Sequence, residues 1–186
     1  WWGTSDDAVS RAALAKYVDC GGNFFDSARV YGNGRSEKIL GAFLRGLPPS
    51  NRAKMVFATK VPPKNLRWPG CGAAEEAFPA GWVVEQAEAS LRETGLERLD
   101  LVQLHVWRPE WIRAEGWREA LSRLYTQGKI AASGVSLNDH DAASGIPLVL
   151  SRAVETVQVI YNIFDPTPHH ELVPAGASAG LGIIAR

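Results

Sequence analysis

Short apolar runs and amphipathic stretches alternate along the chain. Thr4-Ser5-Asp6-Asp7 supplies cap residues and early acids for a first helix. Val9, Ala12, Ala13, Tyr17 and Cys20 follow at helical spacing, and Gly21-Gly22 stops the helix. Asn23-Phe24-Phe25 reads as a strand ending at Asp26. Ser36 is placed to cap a second helix through Arg45, with Ile39, Leu40 and Phe43 on one face. Met55 to Thr59 predicts a strand ending at Lys60, and a Pro/Gly-rich loop runs from Val61 to Ala80. Helices over Trp82–Thr94 and Glu115–Gln127 flank a strand over Leu99–Leu104 that ends at His105. Ala131–Val135 is the next strand, ending at Ser136. A weaker helix lies between Asp139 and Leu150. Thr156–Ile160, His169–Ala179 and Gly182–Ala185 complete the pattern as strand, helix and strand.

Six helices therefore alternate with six strands. The strands are nearly continuously apolar, which indicates a parallel sheet covered on its faces. An open doubly wound sheet and a (β/α)8 TIM barrel both satisfy this order. The open sheet would be favoured by a Gly-rich dinucleotide turn after an early strand. Gly32-Asn33-Gly34 lacks both the third glycine and the strand-to-helix setting. Polar residues stand at successive strand ends, at Asp26, Lys60, His105, Ser136, Tyr161 and Arg186. Barrels build their active sites at those ends, so the pattern favours the barrel.

Composition narrows the functional classes. Lys plus Arg number 20 and Asp plus Glu 20, for a formal net charge of zero. That leaves no electrostatic basis for a nucleic-acid or anionic-membrane partner. Apolar residues make up 46% and charged residues 22%, ordinary for a globular domain. No apolar run approaches the roughly 18 residues of a membrane span. Cys20 and Cys71 make no disulfide framework, and the chain reads as cytoplasmic. At 186 residues it reads as one domain. A closed (β/α)8 barrel needs about 250 residues. The start at Trp1-Trp2-Gly3 and the stop at Ile183-Ile184-Ala185-Arg186 both read as cut. The expectation is an incomplete barrel, about six strands of eight, that alone binds cofactor weakly and turns over little.

Four strand-end and loop residues carry complementary chemistry. A free tyrosine, with a pKa of about 10, is a poor acid at neutral pH. A cation such as Lys60 near Tyr31 would lower that value. A buried lysine needs a counterion, which Asp26 can supply. A neutral His105 can donate a hydrogen bond to a carbonyl oxygen. Together these groups make a proton donor and an oxyanion site for reducing C=O, with the hydride left to a cofactor.

Residues 23–37 (NFFDSARVYGNGRSE), 57–60 (FATK), 100–105 (DLVQLH), 134–136 (GVS), 157–162 (VQVIYN) and 182–186 (GIIAR) resemble the aldo-keto reductase family, in order and over nearly the whole chain. The resemblance implies a (β/α)8 barrel that reduces aldehydes and ketones with a nicotinamide cofactor, usually NADPH, and without a metal. It implies Tyr31 as general acid, Lys60 and Asp26 as its activating pair, and His105 as the residue that orients the carbonyl. It implies Ser136 and Gln158 as ligands of the nicotinamide amide. Many members carry Ser-Asn at that strand end, whereas this chain reads Ser136-Leu137-Asn138, so Asn138 is a displaced amide ligand. Arg186 stands where the family packs a residue on the nicotinamide face, and a guanidinium plane can stack there. The family's first and eighth strands and its cofactor-phosphate loops have no counterpart here. Some relatives associate with channels and sense the nucleotide without turnover, which is the alternative reading.

The chain has seven tryptophans. Trp1, Trp2, Trp68 and Trp107 map to loops at the barrel mouth and are expected to line an aromatic substrate pocket. Trp82 and Trp117 are expected to anchor helices. Tyr17 is expected in the core, Arg35 and Glu37 as a surface pair, and His140, His169 and His170 as turn or cap residues rather than metal ligands.

Overall fold

The computed structural model describes residues 6–186. Six strands form one parallel sheet in sequential order: β1 (Phe24–Asp26), β2 (Val56–Val61), β3 (Leu99–Leu104), β4 (Ile130–Ser136), β5 (Thr156–Val159) and β6 (Gly182–Ala185). Every neighbouring pair is parallel. A doubly wound sheet would reverse its strand order at a switch point. This order never reverses, so the sheet is an incomplete (β/α)8 barrel. The central strands β2 and β3 are almost wholly buried, while edge strand β6 is not, which explains the near-continuous apolar pattern inside.

The helices are α1 (Asp7–Asp19), α2 (Arg35–Arg45), α3 (Pro49–Arg52), α4 (Ala74–Ala77), α5 (Ala80–Thr94), α6 (Gly116–Thr126), α7 (Ile146–Ser151) and α8 (Leu172–Ala179). Their inner faces follow helical period. Leu40 and Leu44 face inward on α2, Val83 and Ala87 on α5, and Trp117, Ala120, Leu121 and Leu124 on α6. Helices α2 and α5 approach each other closely. A Cβ built on Gly41 would stand 2.2 Å from the Thr94 carbonyl oxygen and 2.4 Å from its Cα. Only glycine lets the two backbones touch there.

The acidic cap of the first helix stands as expected, and several other local expectations are corrected. Asp6 caps α1, its Oδ1 accepting from Ala8 N–H at 2.6 Å. The inner edge of α1 is Leu14 and Val18, not the Val9–Ala12–Tyr17 row, and Val9 and Tyr17 are exposed. The Tyr17 hydroxyl instead donates to the Phe24 carbonyl at 3.0 Å, a polar tip that keeps the ring at the surface. Ser36 does not cap α2. Gly34 precedes the first helical residue, and the Ser36 hydroxyl accepts from Ser27 Oγ at 2.8 Å. The stretch after Asp139 divides into a 3-10 turn (Ala142–Gly145) and α7. The helix expected from His169 starts at Leu172, after a 3-10 turn over Thr167–His169. Among the described residues, no helix is long and apolar enough to cross a membrane.

Candidate functional site

The C-terminal ends of the strands meet at one cavity of about 720 Å³. Strand parallelism forces this convergence, because each strand delivers its last residue to the same end of the sheet. Asp26 closes β1, Lys60 lies near the end of β2, and His105 follows β3. Ser136 closes β4, Gln158 lies on β5 and Arg186 follows β6. All six line the cavity, together with Tyr31, Trp68 and Asn138.

Lys60 is only 2% exposed and so needs partners. Its Nζ donates to Asp26 Oδ2 at 2.6 Å and to the Ser27 carbonyl at 2.8 Å. The Asp26 side chain is 30% exposed and accepts further from Gln158 Nε2 at 2.9 Å and Gln103 Nε2 at 3.5 Å. Gln103 is fully buried, and no role was assigned to it from the sequence. A lone glutamine in the otherwise apolar run before His105 is the signal that marks it. Burial pulls the Lys60 ammonium below its ordinary pKa, while Asp26 pulls it back up.

Tyr31 sits in the loop after β1, 44% exposed, with the Lys60 ammonium 5.6 Å from its ring centroid. The expected lowering of its pKa is reversed. Burial raises it first and the Asp26 charge raises it further, against a smaller pull from Arg186. With its pKa raised, Tyr31 keeps its proton at neutral pH. The His105 ring stands edge-on to Tyr31, with centroids 5.8 Å apart. Burial, then the Lys60 and Arg186 charges, push its pKa down to about 3. His105 is therefore a neutral imidazole with one N–H donor and one acceptor, and its Nδ1 is buried without a partner.

The far wall carries amide and guanidinium groups. Asn138 Nδ2 donates to the Trp107 carbonyl at 2.6 Å, while its Oδ1 is buried and unsatisfied. Ser136 is buried beside its register partner Gln158. Arg186 Nη2 donates to Asp139 Oδ1 at 2.5 Å across the cavity rim.

The aromatic pocket is only partly assembled. Trp68 belongs to it, exposed at the mouth and edge-on to His105 at 4.8 Å. Trp107 does not. It is fully buried, packs against Trp111 and Trp117, and donates from Nε1 to the Ser144 carbonyl at 3.0 Å. Its backbone turns the ring into the core, so it is a packing residue and not a cavity wall. Trp1 and Trp2 lie outside the described residues. Trp82 and Trp117 anchor their helices, bonding the Pro62 and Trp111 carbonyls.

Glu37 is also corrected. It is no surface partner of Arg35, which pairs with Asp7 at 2.5 Å. It is fully buried, with Oε2 3.2 Å from Arg29 Nη1 and Oε1 accepting from Thr59 Oγ1 at 2.6 Å. His140 is largely exposed and pairs with Asp165 at 2.6 Å, and His169 accepts or donates to the Tyr161 hydroxyl at 3.1 Å. Among the described residues no cluster of three or more His, Cys, Asp or Glu side chains is arranged to hold a metal ion.

A family model of the aldo/keto reductases matches residues 1–186, and the chain belongs to that family. It is 30% identical over 173 residues to the aldo-keto reductase YhdN of Bacillus subtilis, covering 93% of this chain and 50% of YhdN. It is 29% identical over 186 residues to a probable voltage-gated potassium channel subunit beta of Oryza sativa, covering 96% of this chain and 54% of that one. Among solved structures, an aldo/keto reductase from Klebsiella pneumoniae in complex with NADP and acetate superposes with a TM-score of 0.73 at 26% identity. That match covers 100% of this chain and 60% of the other. The chain spans about half the length of the curated relatives it matches.

Proposed function

We propose that the protein reduces aldehydes or ketones to alcohols with NADPH, protonating the product oxygen from Tyr31. The observation that carries this reading is the pairing, in one cavity, of the Tyr31 phenol with the His105 imidazole, edge-on at 5.8 Å beside the buried Lys60–Asp26 pair, where burial raises the pKa of the phenol and lowers that of the imidazole. Such a pair suits a carbonyl oxygen that must gain a proton, because both groups present donors and neither brings a competing charge.

The far wall fits a nicotinamide carboxamide. Asn138 Oδ1 is a buried acceptor without a donor, and burying such a group costs about 1–3 kcal/mol unless a ligand satisfies it. Ser136 adds a hydroxyl, and Gln158, whose nitrogen faces Asp26, keeps a carbonyl oxygen for the same amide. Arg186 offers a planar cation at the rim. When bound, the reduced nicotinamide supplies the hydride that no side chain carries.

His105 then orients the substrate by donating its N–H to the carbonyl oxygen. Tyr31 gives its proton to that oxygen as negative charge develops there. Asp26 keeps the buried Lys60 charged and in place beside the phenol ring. The test is Tyr31→Phe, followed by NADPH consumption with a panel of aldehydes and by NADPH titration. Loss of most turnover with unchanged NADPH affinity is expected. Full retained turnover would remove Tyr31 from the role.

The likeness to a channel beta subunit favours a second reading, a regulatory barrel that binds the nucleotide without turnover. NADPH binding without consumption across the aldehyde panel would select it.

A further inference from the structure

The proton-donor role leaves one buried charge network beside it without a use. Glu37 on α2 is fully enclosed, and few carboxylates are buried without a reason that outweighs their desolvation. It connects three elements. Its own helix is one, the strand that carries Lys60 is reached through the Thr59 hydroxyl, and the loop that carries Tyr31 is reached through Arg29. Arg29 is tied a second time, since its backbone N–H donates to the Lys60 carbonyl at 3.2 Å. Its guanidinium lies so close to Gly34 that a Cβ there would stand 2.2 Å from Nη1, and Gly34 takes a φ of +89° that suits glycine. Between these ties the Tyr31 backbone is held at both ends. Its N–H donates to the Ala28 carbonyl at 3.0 Å and its carbonyl accepts from Ser36 N–H at 3.3 Å.

We propose that Arg29, Glu37 and Thr59 form a buried strut that positions Tyr31 against Lys60 and His105. The assignment rests on the proton-donor reading of Tyr31. None of the three lines the reaction cavity, so they are positioning residues rather than catalytic ones. A purely structural ion pair and a positioning strut differ in one respect. Replacing a buried pair by apolar residues of similar volume often preserves or raises stability. A structural role is then fully replaced, whereas aim at a reacting atom is not, and a displacement of about 1 Å can cost on the order of a hundredfold in rate.

The experiment combines Arg29→Met, Glu37→Leu and Thr59→Val in one chain labelled with fluorotyrosine. The tyrosine resonances are assigned by single Tyr→Phe changes. The expected result is a folded chain in which the Tyr31 signal shifts and broadens while those of Tyr17, Tyr125 and Tyr161 stay in place. With it, kcat falls about tenfold or more while KM and NADPH affinity stay within about twofold. If the triple variant does not fold, Glu37→Gln decides. It keeps the shape and the acceptor for Thr59 but removes the nearer and buried one of the two carboxylates facing Arg29, leaving the half-exposed Glu93 at 3.8 Å, and the same selective Tyr31 shift is expected. An unmoved Tyr31 resonance in either folded variant overturns the strut. NADPH binding without aldehyde turnover in the unaltered protein refutes carbonyl reduction instead, and the fluorine measurement still decides the strut.

Discussion

Removing either half of the Lys60–Asp26 pair gives unequal costs, and the inequality follows from their burial. Asp26→Asn keeps the shape but strands a lysine that is 2% exposed. Its remaining charged or polar partner is the Ser27 carbonyl together with the neutral Asn oxygen. Breaking a buried pair in this way costs about 3–5 kcal/mol. Lys60→Met strands a carboxylate that still reaches water and still accepts from Gln158 and Gln103. That variant should cost only about 1–2 kcal/mol. The double variant should lie near the unaltered protein, because two neutral side chains replace the pair. The sign of the pH dependence is also set. In Asp26→Asn the native lysine loses its proton more readily than the unfolded one. Unfolding then takes up a proton, and stability rises with pH by at most about 1.4 kcal/mol per unit between the native lysine's lowered pKa and the unfolded lysine's value of about 10.4. Urea unfolding at pH 7 and pH 9 measures all of this, and the Asp26→Asn deficit should shrink at the higher pH. A costlier Lys60→Met, or a deficit indifferent to pH, would show that Lys60 is not held charged by Asp26.

Three further outcomes are expected. Gly41→Ala should destabilise by about 2–3 kcal/mol, because its methyl meets Thr94 backbone, whereas Gly81→Ala, with open space around it, should gain a few tenths to about 1 kcal/mol. Thermal or urea unfolding of the two checks the contrast, and equal effects would refute the close contact of α2 with α5. Trp107→Ala should cost about 3–5 kcal/mol by emptying the core, read as a lower urea midpoint, and a stability loss under 1 kcal/mol would return the ring to the cavity. His105 should show an NMR titration midpoint near 3, and since it is neutral in the fold and protonated below about 6.5 when unfolded, it makes stability rise with pH across that window. A midpoint near 6.5 would contradict its burial.

The strand ends were legible in the sequence because a polar residue breaking an apolar run has a definite place in a parallel sheet. Asp26, Lys60, His105, Ser136 and Arg186 all stand at that boundary, and the sheet brings them together. Side-chain direction was legible only where periodicity fixes it. Trp107 lies two residues past His105, beyond the strand, where no period says which way a ring turns. On α1 the apolar positions outnumber those needed for one face, so the phase had to come from what Leu14 and Val18 touch.

Charge environment was the least legible layer, since it depends on neighbours from several elements at once. Lys60 beside Tyr31 suggests an acidified phenol when only those two residues are considered. In the fold, burial raises the phenol's pKa first, and Asp26, 2.6 Å from the ammonium, raises it further. Glu37 shows the same limit. Three residues after Gly34 and two after Arg35 it looks like a surface acid. What buries it is Thr59, twenty-two positions along the chain, and Arg29 folding back across Gly34. The site's chemistry thus depends on residues of ordinary appearance that set the state of conspicuous ones. Burial first, and the Asp26 charge after it, keep the Tyr31 phenol a donor.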